Sequence, residues 1–288
     1  MIHDHERLAH DRPTNAMSVD VEDYFQVSAF EPVFAGRDWN SIECRIPRNV
    51  ERILDLFGRH GIQATFFTLG WVAERYPQLV RRIVDSGHEI ASHGMQHTRV
   101  TQQSREQFQS DVQRTKRLLE DVTGRAVPGY RAASYSIGAD NLWALDVLRE
   151  AGHLYSSSIY PIRHDLYGMP EAPRFAFRTH DNGILEVPVT TVQVGDLRLP
   201  CGGGGYFRLF PYAVSRWAMQ RVNLTDRQPC VFYFHPWEID DEQPRVAAPW
   251  KSRFRHYLNL SRMYGRLQRL LADFRWGRMD QIFLRHSS

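Results

Sequence analysis

The sequence has little cysteine. Its three, Cys44, Cys201 and Cys230, lie far apart and form no CxxC pair. That excludes a disulfide framework and a cysteine-type zinc site, and the three read as free thiols in a reducing compartment. Long apolar runs are also missing. No stretch of eighteen apolar residues occurs, and the N-terminal "MIHDHERLAHDRPTNA" is polar and charged where a signal segment would be apolar. The expectation is a cytoplasmic protein that neither carries an ordinary export signal nor spans a membrane. One-sided charge is absent too: 36 Lys and Arg stand against 33 Asp and Glu, a formal net charge of +3. The balance argues against a nucleic-acid partner. The basic residues do lean toward 253–285, which leaves room for peripheral association with an anionic membrane surface. Repeats, heptads and low-complexity linkers are absent, so nothing points to a solenoid, a coiled coil or a disordered chain.

What is present is a chain of 288 residues, 42% of them apolar, enough to bury one large core. Residues 1–15 read as a flexible tail in which His3, His5 and His10 are solvated. From residue 16 the pattern alternates. Strands are predicted at 16–21, 63–70, 88–93, 126–134, 154–158, 184–191 and 229–239. Helices are predicted at 47–59, 73–87, 104–124, 139–152, 213–223 and 253–274. Pro47 opens the first helix and Gly61 closes it, while Phe66, Phe67, Phe232 and Phe234 read as core. This alternation predicts an α/β fold with a parallel sheet, open or closed into a barrel.

The polar candidates fall at C-terminal strand ends, where such folds gather their chemistry. "SVDVEDYFQ" (18–26) brings Asp20, Glu22 and Asp23 together at the end of an apolar strand, a costly cluster unless a cation or base compensates. "SHGMQH" (92–97) delivers His93 at a strand end and His97 four residues on. Two imidazoles and a carboxylate make a facial set with open positions for water and substrate. Taken alone, an HxxxH pair is as readily two unrelated surface side chains, and the HExxH protease signature is absent because Gly94 follows His93. "GYRAASYS" (129–136) places Arg131 at another strand end, with the acids near Asp20 as its natural partner. "FYFHPWEID" (232–240) places His235 after four residues of apolar strand, a candidate general acid beside activated water. The run "CGGGGYFRLFP" (201–211) lacks the GKS/T ending of a phosphate loop. It reads either as a flexible surface loop or as a place where backbone approaches a sugar chain, with Tyr206, Phe207 or Trp237 as stacking faces.

These pieces, in this order, resemble the polysaccharide deacetylase (NodB-homology, carbohydrate esterase family four) enzymes. "VDVEDYFQVSAF", "GGGGYFRLFP" and "RFRHYLNL" resemble in particular the subfamily of exosortase (PEP-CTERM) exopolysaccharide loci. The resemblance implies a distorted (β/α) barrel of about seven parallel strands. It spans a deacetylase domain at 16–240, followed by a helical extension at 241–288 packed on the barrel. It implies a divalent metal ion, zinc first and cobalt, nickel or iron as alternatives. The metal would be held by His93, His97 and either Glu22 or Asp23; strand alternation favours Glu22 and ligand type favours Asp23. By the same resemblance Asp20 is the base, Arg131 orients it and His235 is the acid. The Ser134 or Tyr135 amide is the oxyanion donor, and Glu186 stands for the acid that tunes His235. The implied reaction is hydrolysis of the acetamido group of an N-acetylated glycan or of a lipid- or nucleotide-linked sugar intermediate. Two rival readings remain: a metal-independent hydrolase of a small cyclic amide (allantoinase-like), and an inactive glycan-binding relative.

Overall fold

The computed structural model describes residues 13–164 and 167–284; His3, His5 and His10 lie outside the described residues. The strands are β1 (Asn15–Val21), β2 (Thr65–Thr68), β3 (Glu89–Ser92), β4 (Gly129–Tyr130), β5 (Tyr155–Ser156), β6 (Phe177–Arg178), β7 (Leu185–Glu186), β8 (Thr191–Val194), β9 (Leu197–Pro200), β10 (Val231–Phe234) and β11 (Trp276–Gly277). In space the main sheet runs β10-β1-β2-β3-β4-β5-β7-β6, with β11 also on β1, while β8 and β9 form a separate hairpin. The seven strands from β10 to β7 are mutually parallel, and β6 is antiparallel to β7. The expected alternation is therefore real, but the sheet is a curled half-barrel whose edges, β10 and β6, do not meet.

The α-helices of five residues or more are α1 (Ile46–His60), α2 (Gly70–Arg75), α3 (Pro77–Asp85), α4 (Arg105–Thr123), α5 (Trp143–Glu150), α6 (Gly204–Leu209), α7 (Tyr212–Arg221), α8 (Trp250–Tyr257), α9 (Leu260–Asp273) and α10 (Met279–Phe283). Each long one forms where the sequence supplies both an apolar stripe and end signals. Pro47 sits in the first turn of α1, and Gly61 closes it in the left-handed region at φ 61°. Ser104 and Gln107 form a capping box at the start of α4. Their apolar faces, such as Val50, Ile53 and Phe57 of α1, bury against the convex side of the sheet. Each such side chain contributes roughly 1.5–3 kcal/mol.

Two predicted helices are broken. Proline at 77 splits 73–87 into α2 and α3, because Tyr76 before it leaves the helical region. The predicted helix 253–274 breaks at Asn259, φ 54°. There the buried Arg208 guanidinium donates to the carbonyls of Arg255, His256 and Leu258, so the last turn of α8 cannot continue. The strand expected at 184–191 stops after Glu186, and the chain turns at Gly195 into the β8–β9 hairpin. β1 also begins at Asn15, one residue inside the expected tail, and the three cysteines are unpaired. No helix among the described residues is long and apolar enough to cross a membrane.

Residues 276–283 are part of the sheet as well as packed on it. β11 pairs with β1, and α10 crosses the N-terminal ends of the strands. Met279 N–H donates to Thr65 Oγ1 (2.8 Å), Asp280 N–H to Glu89 Oε2 (3.1 Å) and Arg278 Nη1 to the Gly87 carbonyl (3.1 Å). Burial, with Asp280 nearby, pushes the Glu89 carboxyl up to about 8.

Candidate active site

At the opposite end of the sheet, the C-terminal ends of β10, β1, β3 and β4 converge. Asp20 is the penultimate residue of β1 and Glu22 lies just beyond the strand, turned back by the Glu22 N–H donating to the Asp20 carbonyl across two residues. His93 follows β3, Arg131 follows β4 and His235 follows β10. Four elements separated by up to 215 residues thus meet because the parallel register aligns their ends.

Glu22, His93 and His97 each offer one ligand atom, and these atoms all lie within 4.8 Å of one another. His97 Nε2 is 2.8 Å from Glu22 Oε2. That oxygen is buried yet has no partner in hydrogen-bond geometry, an arrangement that suits a cation better than a proton donor. His93 Nδ1 is 2.8 Å from the Arg131 carbonyl. A proton there leaves Nε2 a bare lone pair facing Glu22 and His97, the outer-shell arrangement typical of ligating imidazoles. Burial pulls His93 down to about 4, so it is a neutral imidazole at ordinary pH. For Glu22, burial works upward but the imidazoles of His97 and His235 outweigh it and hold the carboxyl at about 2. The loop carrying His97 is a turn, with His97 at φ 55° and Gly94 at φ 75°. It is held by the Met95 N–H on the Asp111 carboxylate and by the Gly70 and Trp71 amides on the Gly94 and Met95 carbonyls.

The other candidate carboxylate, Asp23, is not brought to this cluster. It accepts from the amides of Tyr24 (2.8 Å), Arg45 (2.5 Å) and Ile46 (3.1 Å), capping the entry to α1. Burial pushes it up to about 6. Its oxygens are occupied by backbone donors, and this corrects the expectation that kept it as an equal candidate.

Asp20 is 2% exposed, and its Oδ1 accepts from Arg131 Nη1 at 2.6 Å. Arg131 is wholly buried. Its remaining donors go to Ser18 Oγ, the Ser157 carbonyl and Ser157 Oγ, its face lies 3.9 Å from the Phe67 ring centre, and Met279 Sδ is 4.0 Å from Nη2. Losing one member of a buried pair of this kind costs about 3–5 kcal/mol. Asp20 Oδ2 faces the Tyr135 hydroxyl (3.5 Å) and His235 Nε2 (3.9 Å), which is also 3.3 Å from Glu22 Oε1. His235 is the member of the group with an exposed edge, 19% of its side chain. Burial works against its protonation, but Glu22 and Glu238 raise it to about 9.

The acid partnered with His235 is Glu238. His235 Nδ1 lies 2.8 Å from Glu238 Oε1, and Arg208 Nε donates to Oε2 at 2.7 Å. Glu186, expected in this place, is elsewhere: its Oε1 accepts from the Ser158 and Ile159 amides beyond β5, and burial lifts it to about 7. Sequence reasoning missed Glu238 although "HPWE" carries the signal. A side chain three residues after a cap position reaches back to the cap's own N–H.

Three further expectations change. Trp237 is 6% exposed, and its ring is stacked with His235 (5.1 Å) and His256 (4.0 Å), so it is no sugar platform. The glycine run is neither a loose loop nor a sugar cradle. A Cβ on Gly202 would sit 2.3 Å from the Val231 carbonyl and one on Gly204 would sit 2.3 Å from Glu238 Oε1, so these glycines let the start of α6 close on β10 and on Glu238. Phe207 is core. Of the two oxyanion candidates, the Tyr135 amide is used by the Ala132 carbonyl, whereas a first-turn amide such as that of Ser134 has no intrahelical acceptor. Both residues are left-handed, φ 54° and 52°, a conformation that costs of order 1–3 kcal/mol and clusters at functional sites. Tyr206 packs beside Tyr135, Tyr160 and Tyr233.

Residues 39–155 match the family model described as "Polysaccharide deacetylase", and residues 157–284 match "Domain of unknown function (DUF3473)". A chitooligosaccharide deacetylase from Bradyrhizobium sp. is 32% identical over 96 residues, 33% of this chain and 42% of its own. These matches support the polysaccharide deacetylase family. The chain spans under half the length of the curated relatives it matches. Two solved structures share the fold of this chain. One, from Mycobacterium smegmatis and described as a polysaccharide deacetylase, has a TM-score of 0.59 at 19% identity and covers 93% of this chain and 89% of its own. The other, Puue allantoinase, has a TM-score of 0.60 at 18% identity, covering 94% and 89%. The deacetylase match contains His93, His97, Arg131 and Ser134, while Asp20 and Glu22 precede it and His235 and Glu238 fall in the second segment.

Proposed function

We propose that this protein is a metal-dependent N-deacetylase that hydrolyses the acetamido group of an N-acetylated amino sugar in a polysaccharide or its biosynthetic intermediate. The observation that carries the reading is the Glu22–His93–His97 ligand set beside two separately buffered groups, Asp20 on Arg131 and His235 on Glu238. A divalent cation held by those three side chains, zinc in our reading, would supply Lewis-acid activation of the acetyl carbonyl and of water. Asp20 takes the proton of the attacking water, its other oxygen fixed by Arg131. The Ser134 amide donates to the developing oxyanion. His235 Nε2, protonated because of its carboxylate neighbours, gives a proton to the departing amine, which leaves as the free amino sugar with acetate as the other product. Such a step is worth about 10²–10⁴ in rate. The ligand set favours this reading over a metal-independent cyclic amidase, and the intact Asp20 and His235 favour it over an inactive binder. We place the activity in cytoplasmic exopolysaccharide assembly, with a lipid- or nucleotide-linked acetamido sugar as substrate.

The test is acetate release from N-acetylglucosamine oligomers by protein of measured metal content. The expected result is activity that a chelator abolishes and a divalent ion restores. Metal-loaded protein that releases no acetate from any N-acetylated amino sugar refutes the reading.

A further inference from the structure

Charge is unevenly spread along this chain. Between Gln243 and Ala272 stand seven of the 36 Lys and Arg and no Asp or Glu, which leaves 29 basic against 33 acidic residues elsewhere. The net positive charge therefore resides in the segment that forms α8 and most of α9. α8 also carries an apolar ridge that the core does not use. Trp250 and Phe254 are 71% and 53% exposed, and no large apolar side chain among the described residues is more exposed than Trp250. Residues four apart lie on one side of a helix.

At 3.6 residues per turn, Lys251 and Arg253 fall roughly 80° to either side of that ridge, and His256 falls on the far side. Lys251 and Arg253 are exposed, and neither has an ion-pair partner among the described residues; Lys251 Nζ stands 5.9 Å from the centre of the Trp250 ring. His256 is the buried face. Its ring lies 4.5 Å from Phe30 and stacks on Trp237 at 4.0 Å, and Trp237 stacks in turn on His235 at 5.1 Å. α8 is thus seated at the catalytic end of the sheet with its ridge turned outward. A lone exposed apolar residue needs no explanation. Two large aromatics on one ridge, flanked by cations on a helix without an acid, have the make-up of a helix lying in a membrane interface. Aromatic rings settle at the headgroup level, and the cations are complementary to anionic lipid.

We propose that α8 docks the protein on an anionic membrane, with Trp250 and Phe254 in the headgroup boundary and Lys251 and Arg253 on the lipid headgroups. Docking through this helix holds the His235 end of the site beside the bilayer, where a lipid-linked acetamido sugar is at hand and a nucleotide-linked one is not. The docking surface stands by itself; its bearing on the substrate rests on the deacetylase reading above.

The experiment is co-sedimentation of the full chain with vesicles of phosphatidylcholine, alone or with added phosphatidylglycerol, at low and high salt. The wild type should bind the anionic vesicles, and more weakly at high salt. Lys251→Gln with Arg253→Gln should weaken binding about 25-fold, since each cation at such a surface is worth about fivefold. Trp250→Ala should weaken it by more than about tenfold, whereas Trp250→Phe, which keeps an apolar ring, should retain most of it. Trp217→Ala, on α7 and 46% exposed, should bind like the wild type. All these side chains are exposed, and matching thermal melts show that each variant is folded. A wild type that ignores anionic vesicles or binds neutral ones equally well overturns the proposal. So does a Trp250→Ala variant that binds like the wild type, or binding that is lost in Trp217→Ala instead. A dimer that Trp250→Ala dissociates would make the ridge a contact between copies and overturns it too. Binding is read without turnover, so protein that docks yet releases no acetate refutes the deacetylase reading and leaves the docking surface standing.

Discussion

Glu238→Gln is the substitution that most directly probes how this site handles its proton. In the wild type Glu238 Oε1 accepts from His235 Nδ1 at 2.8 Å, while Oε2 accepts from Arg208 Nε at 2.7 Å. Arg208 is charged, buried and can only donate, so in the variant the amide oxygen goes to Arg208, and the neutral His235 backbone N–H, which Oε1 serves in the wild type, loses its acceptor as well. The NH2 group is then turned toward His235 Nδ1. That nitrogen loses its acceptor and meets a donor, which disfavours the imidazolium and leaves a weak acid in its place. A hydrogen bond to a charged group is worth about 1.5–3 kcal/mol, and 1.36 kcal/mol is a factor of ten. We therefore expect kcat to fall about 10- to 150-fold with KM nearly unchanged. The alkaline limb of kcat/KM should move to lower pH, because one of the carboxylates that hold His235 near 9 is gone. The assay is steady-state acetate release across pH, with a thermal melt to show that Arg208 still bonds the side chain and the fold is intact. A variant that melts like the wild type and turns over within twofold of it refutes the proton role assigned to the pair.

Glu22→Gln should lose stoichiometric metal by elemental analysis. Asp23→Asn should keep it and instead lower stability by about 1–2 kcal/mol in denaturant melts, since it removes a cap and no ligand; metal loss in Asp23→Asn would reverse the assignment. Glu89 gives a pH signature remote from the site. Its folded pKa is raised to about 8 from an ordinary 4.5, so its favourable contribution is fully present only below pH 4.5 and is lost as pH rises through 8. Glu89→Gln should therefore gain stability over the wild type progressively between pH 5 and 8 and level off above, and a Tm difference independent of pH would contradict the buried-carboxylate argument.

The fold was legible wherever local periodicity and end signals agreed. β1 follows from an apolar run, α1 from its proline and glycine pair, and α4 from its periodicity. It was illegible where a distant partner decides the local path. No periodicity announces the break at Asn259, because its cause is a guanidinium 50 residues upstream of Leu258. In the site, Asp20, His93, Arg131 and His235 could be read because each sits at a strand end, and parallel strands put those ends together. The choice between Glu22 and Asp23 could not be read, since it turns on where the α1 amides point. Trp237 looked like a free ring in "HPWEI" because nothing local reveals His256 beneath it.

The far side of Arg131 carries a consequence of its own. Met279, nearly the last described residue of the chain, threads between the strand starts and sets its sulfur against the guanidinium that grips Asp20. Asp20 itself is among the first. The surroundings of this arginine are thus complete only when residues 20 and 279 have both been made, so a ribosome releasing the chain step by step would make β1 to β10 before it made a finished base. Competence in such an architecture comes after the sheet and not with it.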